Sequence, residues 1–392
     1  MPKNNKLSSG NNSLARPLQT IITIVIIILA IGYFVYNSDT NQVNNPQPVP
    51  VVQGVTTSTP SVETQNNESV ANFDVFFTAP VHPFAGNTKN SIEYRLIEKI
   101  DKAKVSLHGA FYEFNLESVA QALINAHNRG VEVQIVYDDK QVGDDPQIKE
   151  LQKIGIKTVP DKRSVFMHNK FVVVDNQCVW TGSFNITENA AYRNNENAAY
   201  ICDPKLAKNY STEFNEMFNG HFGPKSSSDT PYPVLTINGF QIENYFAPED
   251  GVMDKVIAAV NMAKTSIHFL AFSLTDKNLA DAMLARQNSG ASISGVFETR
   301  SASADSSECA NLLKKGADIH IDGNPDTMHE KVIIIDSSTV IFGSFNYSAQ
   351  ANEDNDENLL IVHSPQIALM FEKEFQKILA ESITPTSTCK SP

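Results

Sequence analysis

Residues Met167–Asn197 read MHNKFVVVDNQCVWTGSFNITENAAYRNNEN, and residues Met328–Asn358 read MHEKVIIIDSSTVIFGSFNYSAQANEDNDEN. Both carry one pattern, H-x-K-x4-D-x6-G-S-x-N with a later Glu-Asn, and each part of it recurs 161 residues on. His168, Lys170, Asp175, Gly182, Ser183, Asn185 and Glu196 therefore answer to His329, Lys331, Asp336, Gly343, Ser344, Asn346 and Glu357. Chance does not repeat so many positions at one offset. The chain is a duplication, and neither copy has lost a motif position.

HNKFVVVD and HEKVIIID read as strands, in which alternate side chains share a face. His168 and Lys170 then project together, as do His329 and Lys331. Asp175 and Asp336 stand an odd number of residues from the Lys and point away, as structural groups binding backbone or the neighbouring lobe. Working outward, Asp74 to Phe77 reads as a strand. Ser91 to Ala103 reads as a helix with Ile92, Leu96, Ile97 and Ile100 on one side, and Lys104 to Phe111 as a buried strand. Glu117 to Arg129 reads as a helix stopped by Gly130, Val131 to Tyr137 as a strand, and Asp203 to Asn219 as a closing helix. The second copy repeats this order: AKVSLH at 103–108 answers to AKTSIH at 263–268, now offset by 160, so a loop differs by one residue. Strands alternating with helices predict an α/β fold of two similar lobes, each a mainly parallel sheet covered by helices. His108 and His268, inside apolar strands, read as core histidines with satisfied hydrogen bonds.

The lobes are placed at 72–222 and 238–382, with a Gly-, Pro- and Ser-containing linker at 223–237 and a tail at 383–392. Before them, 37–71 is polar and without period, a disordered tether. Leu18 to Tyr36 carries no charge over 19 residues, enough to cross a bilayer. Lys3, Lys6 and Arg16 precede it, which leaves 1–17 in the cytoplasm and puts the lobes on the extracytoplasmic side of a single-pass anchor. The rival reading is a signal peptide cut near Ala30-Ile31-Gly32. Of 392 residues, 41% are hydrophobic and 19% charged, a globular balance. The net charge is −13, and −16 beyond Arg16, which does not attract polyanions over distance. Cys178, Cys202, Cys309 and Cys389 show no metal-type spacing. Cys178 and Cys202 flank the first motif; a disulfide between them and two buried free thiols are both open, and the thiols are the preferred reading.

The repeated H-x-K-x4-D-x6-G-S-x-N pattern resembles the phospholipase D superfamily, whose members cleave or exchange phosphodiesters. The resemblance implies two lobes related by a pseudo-twofold axis with the active site between them. One His attacks phosphorus and the other protonates the leaving oxygen, then activates water or an alcohol. Lys170, Lys331, Asn185 and Asn346 would hold the non-bridging oxygens, Ser183 and Ser344 would add hydrogen bonds, and Glu196 and Glu357 would fix the far imidazole nitrogens. Two-motif members suggest His168 as nucleophile and His329 as acid; the residues alone do not order them. Gly182 and Gly343 complete the motif. No cofactor or metal is expected, since two lysines repel a cation. The acidic balance and the anchor favour a membrane-anchored enzyme, active as a monomer, that hydrolyses or transphosphatidylates phospholipid head groups. A metal-independent endonuclease of the same superfamily, acting on nucleic acid, is the alternative, and a cardiolipin-type synthase is a variant of the first. Asp138 to Asp145 and Thr299 to Ser307 are read as facing loops at the pocket mouth.

Overall fold

The computed structural model describes residues 68–80 and 91–389. The segments read as cytoplasmic N-terminus, membrane span and most of the tether lie outside the described residues. Among those described, no helix is long and apolar enough to cross a membrane.

The first lobe contributes β1 (Glu68–Val70), β2 (Phe73–Phe77), β3 (Ser106–Phe111), β4 (Glu132–Tyr137), β5 (Lys157–Pro160), β6 (Lys170–Val174), β7 (Cys178–Gly182) and β8 (Asn197–Cys202). They lie in the order β1-β2-β8-β7-β6-β3-β4-β5. The second lobe contributes β9 (Val234–Ile237), β10 (Phe240–Ala247), β11 (Ser266–Ala271), β12 (Ser292–Phe297), β13 (Asp318–Ile321), β14 (Lys331–Ile335), β15 (Thr339–Gly343) and β16 (Glu357–His363), ordered β13-β12-β11-β14-β15-β16-β10-β9. The helices fall where the apolar periods put them. Ile92–Lys102 is capped by Ser91, Glu117–Asn128 ends ahead of Gly130 at φ 89°, and Pro204–Phe218 is capped by Asp203. Strand β9 falls in the stretch read as a linker, and Ile383, in the stretch read as a tail, bridges Ile321.

The α/β class and the two similar lobes are as expected, but the sheets are mixed and not mainly parallel. Only β3 with β4 and β4 with β5, and their counterparts β11 with β12 and β12 with β13, run parallel; the other neighbours are antiparallel. The reason is the motif itself. Asp175 and Asn176 turn the chain at φ 55° and 53°, and Asp336 and Ser337 at 51° and 48°, so β6–β7 and β14–β15 are hairpins, which pair only antiparallel.

Side chains alternate between two cores along each strand. Phe171 and Val173 enter a central core shared by both lobes, which also holds Val332 and Ile334 and the helices Pro204–Phe218 and Pro365–Glu381. Val172 and Val174 face an outer core of the first lobe, and Ile333 and Ile335 that of the second. The lobes meet reciprocally: Met167 bridges Asp356 and Met328 bridges Asn195, each residue 161 from its counterpart. A contact repeated with its partners exchanged is the mark of a twofold relation.

Two readings are corrected. The cysteines are not free: Cys178 is bonded to Cys202, directly opposite on β8, and Cys309 to Cys389. The first bridge depends on the β7–β8 register, which spacing along the chain does not reveal. His268 is satisfied by Glu372 at 2.9 Å, but neither ring nitrogen of His108 has a hydrogen bond; it stacks on Phe214, and burial pushes its pKa down.

Candidate active site

Each histidine stands two residues ahead of its strand, since β6 and β14 begin at the lysines. The opposite lobe fixes it there. His168 N donates to Asp356 O at 2.9 Å and His329 N to Asn195 O at 3.0 Å. The next residue in each case is a motif glutamate, so backbone pairing delivers a carboxylate to the imidazole. His168 Nδ1 lies 2.7 Å from Glu357 Oε2, and His329 Nδ1 lies 2.9 Å from the Glu196 carboxylate. Each imidazole is thus oriented by a glutamate of the other lobe, and a single lobe holds no complete pair. Both histidines line the cleft.

The other motif residues build this arrangement. Ser183 Oγ donates to Glu196 at 2.6 Å and Ser344 Oγ to Glu357 at 2.7 Å, so both hydroxyls spend their proton on a glutamate. Lys170 Nζ donates to His168 O at 2.8 Å and Lys331 Nζ to His329 O at 2.7 Å, tying each ammonium beside its imidazole. A Cβ on Gly182, at φ 152°, would sit 2.5 Å from Asn197 O, so only glycine lets β7 approach β8 where the Ser–Glu contact forms. Asp175 and Asp336 point away from the cleft. Asp175 accepts the backbone N–H groups of Lys104, Val105 and Ser106, and Asp336 those of Lys264, Thr265 and Ser266, each within its own lobe. For Asp336, burial would raise the pKa, but these N–H groups hold it below the usual value.

His168, His329, Asn185 and Asn346 line one cleft of about 860 Å³ between the lobes. Its rim includes Gln141 and Asp145 from one of the segments read as mouth loops, and Arg300 and Ser301 from the other. Burial pushes both motif imidazoles and both motif lysines toward their neutral forms. It lowers His168 well below the usual imidazole value, helped by the positive charges of Lys170 and Lys331, and lowers His329 less, because Glu196 opposes it. Burial also takes Lys170 down to about 7 and Lys331 to about 8, against the pull of Glu357 and Glu196 respectively. An anion bound beside them would favour the charged form of both lysines.

Sequence reasoning missed several neighbours. Tyr112 packs edge-on to His168 at 4.5 Å and Phe272 to His329 at 4.7 Å, with Lys170 and Lys331 over the same rings. These aromatics follow β3 and β11 at equivalent places, a repeat that the 160-residue offset could have exposed. Glu113, half-buried, accepts Asn185 Nδ2 at 2.8 Å; its counterpart is Ser273, so no repeat signals it. The carboxylates of Glu213, Glu216 and Glu249 gather elsewhere and line no part of the cleft.

The family model described as "Cardiolipin synthase, PLD-like domain" matches residues 96–218 and 256–379, once per lobe. A phospholipase D of Rickettsia felis is 33% identical over 195 residues, 48% of this chain and 90% of that protein. A mitochondrial cardiolipin hydrolase of Chlamydomonas reinhardtii is 30% identical over 128 residues, 32% of this chain and 56% of that protein. The chain therefore spans little more than half of the algal protein's length. Among solved structures, phosphatidylserine synthase of Haemophilus influenzae Rd KW20 covers 81% of this chain and 88% of its own, with a TM-score of 0.59 at 12% identity, which shows a shared fold.

Proposed function

Since the chain belongs to the phospholipase D-like family of phosphodiesterases, we propose that it hydrolyses the head-group phosphodiester of phospholipids, or exchanges the head group for an alcohol, through a phosphohistidine. The observation that carries this reading is the pair of cross-lobe His–Glu contacts whose histidines line one cleft, each with a buried lysine bonded to its backbone carbonyl. His168, the imidazole driven further toward its neutral form, attacks phosphorus through Nε2. The bond from phosphorus to the leaving oxygen breaks, and the proton on His329 moves to that oxygen. Water then gives a proton to His329 while its oxygen attacks phosphorus and releases His168. Lys170, Lys331, Asn185 and Asn346 hold the non-bridging oxygens, where negative charge gathers in the transition state. Glu357 and Glu196 keep Nδ1 protonated and the rings at the attacking angle.

The run Leu18 to Tyr36 would hold the enzyme at a membrane with the lobes on the extracytoplasmic side. Two disulfides among the described residues support that placement, because such bonds persist in oxidising compartments. Tethering concentrates the enzyme on lipid without any specific contact, and the charge of −16 beyond Arg16 gives nucleic acid no such advantage. The test is the full chain in vesicles, offered labelled phospholipid and labelled DNA side by side in EDTA. Head-group release that His168→Ala abolishes is the expected result. Intact phospholipid with degraded DNA would replace this reading by the endonuclease one.

A further inference from the structure

Two aromatic side chains face the cleft rather than a core. Tyr112 and Phe272 are each half-buried, line the cleft, and belong to none of the three hydrophobic cores. Their neighbours fill those cores instead: Phe111 and Phe114 in the first lobe, Ala271 and Leu274 in the second. Strand register puts the rings where they are. Phe111 lies opposite Lys170 and Ala271 opposite Lys331, so the next residue after β3 or β11 emerges beside a His-x-Lys segment.

Each ring makes the same two contacts. Tyr112 lies 4.5 Å from the His168 ring with the planes 68° apart, and Lys170 Nζ stands over it at 4.6 Å. Phe272 lies 4.7 Å from the His329 ring at 71°, and Lys331 Nζ stands over it at 4.7 Å. The two halves share the ring and not the phenol hydroxyl, so the ring is the part that both use. Both lysines are buried, and neither forms an ion pair among the described residues. Each gives one N–H to the carbonyl of its own histidine. Glu357, Glu196, Glu113 and, for Lys331, Glu330 act on them from beyond ion-pair distance, the two lysines oppose each other, and His168 and His329 stand beside them. A ring face attracts an ammonium through its negative quadrupole without taking an N–H. The other donors of each lysine are thereby left for phosphate oxygens.

We propose that Tyr112 and Phe272 are positioning residues, each ring holding a lysine ammonium charged beside its histidine with N–H groups free for the phosphate. The inference rests on the reading of Lys170 and Lys331 as holders of the non-bridging oxygens and adds what keeps them fit for it. A carboxylate in place of the ring would compete with phosphate for the same N–H groups. An aliphatic side chain would leave the charge exposed to burial, which already takes Lys170 down to about 7 and Lys331 to about 8.

The experiment reads binding apart from chemistry, in the full chain. Dimethyl phosphate keeps one charge from about pH 5 to 10 and loses methoxide poorly, so its dissociation constant can be followed by phosphorus NMR across that range. In the unaltered protein the constant should climb as the two lysines discharge through about 7 and 8. Removing a ring disfavours the charged form, so the lysine discharges at lower pH. Tyr112→Leu and Phe272→Leu should each move the climb of their own lysine down by about one pH unit. Binding then weakens about fivefold at pH 7 in the first variant and at pH 8 in the second, and is nearly unchanged at pH 5. Met at either position is the second route if Leu does not fold. Tyr112→Phe and Phe272→Tyr keep a ring and should keep the original profile; burial pushes the Tyr112 hydroxyl up, so it stays protonated throughout. Leu and Met variants that lose stability or kcat while the climb stays in place have lost packing alone, and overturn the inference. So does a climb moved to higher pH, because water entering in place of the ring would then support the ammonium better than the ring does. A dissociation constant independent of pH in the unaltered protein instead removes the lysines from phosphate binding, and with them the reading beneath this one.

Discussion

The crossed pairing of histidines and glutamates makes a prediction that an arrangement within one lobe would not. Glu357 Oε2 meets His168 Nδ1 and the Ser344 hydroxyl, while Oε1 accepts Asn355 Nδ2 at 3.2 Å, and the residue is wholly buried. In Glu357→Gln an amide N–H must face one of these donors whichever way the side chain turns. The loss of a charge-assisted hydrogen bond and one unmet buried donor together cost about 3 to 6 kcal/mol if fully expressed in the transition state. That corresponds to about 10²- to 10⁴-fold in rate. Glu196→Gln should cost a similar factor with a lipid substrate, but through His329. A diester with a p-nitrophenolate leaving group separates the two, because that group departs without a proton. In a stopped-flow assay, Glu196→Gln should then give a burst of nitrophenolate followed by slow turnover, the second step still needing His329 as base. Glu357→Gln should give no burst, since the nucleophile itself is misoriented. Equal bursts from the two variants, or a burst only from Glu357→Gln, would refute the assignment of His168 as nucleophile under the control of Glu357.

Four further outcomes follow. Burial lowers the pKa of His168 and, against the pull of Glu196, that of His329, so at pH 6.5 and above the nucleophile is neutral while the acid is losing its proton, and kcat/KM for an alkyl diester should fall as pH rises above 6.5. Lys170 and Lys331 sit at about 7 and 8 and lose charge as pH rises through those values, so KM for the diester should climb between pH 7 and 9. Asp175→Ala removes the acceptor of three backbone N–H groups and should lower stability in urea by about 2 to 3 kcal/mol, while activity per folded molecule is kept. Opening Cys309–Cys389, which spans 80 residues, with Ser at both positions should cost about 2 to 4 kcal/mol in the same measurement.

The motif was legible because its residues repeat, and a repeat is visible without knowing how the chain folds. The helices were legible for a similar local reason: Ser91, Asp203 and Gly130 mark ends that depend on a few neighbouring residues. What escaped depends on register between distant segments. Strand direction hinged on the turn at Asp175 and Asn176, the first disulfide on which residue of β8 faces Cys178, and the partner of each imidazole on backbone pairing between lobes.

The same logic explains why the asymmetry of the cleft lies outside the motif. His168 is oriented by Glu357, Glu357 by Ser344, and the mirrored chain runs from His329 through Glu196 to Ser183. A change at any of these positions disturbs a histidine that the one shared reaction requires, so the same residue types stand at these positions in both halves. Glu113 and Ser273 stand just beyond β3 and β11 and line the cleft. A charge can be added at one and omitted at the other while both imidazoles keep their partners. A phosphodiester has two chemically different sides, and a site with a symmetric floor can tell them apart only through such wall positions. Exchange of Glu113 and Ser273 should therefore shift substrate selection and, because it removes the acceptor of Asn185 Nδ2, should also lower turnover of an activated diester.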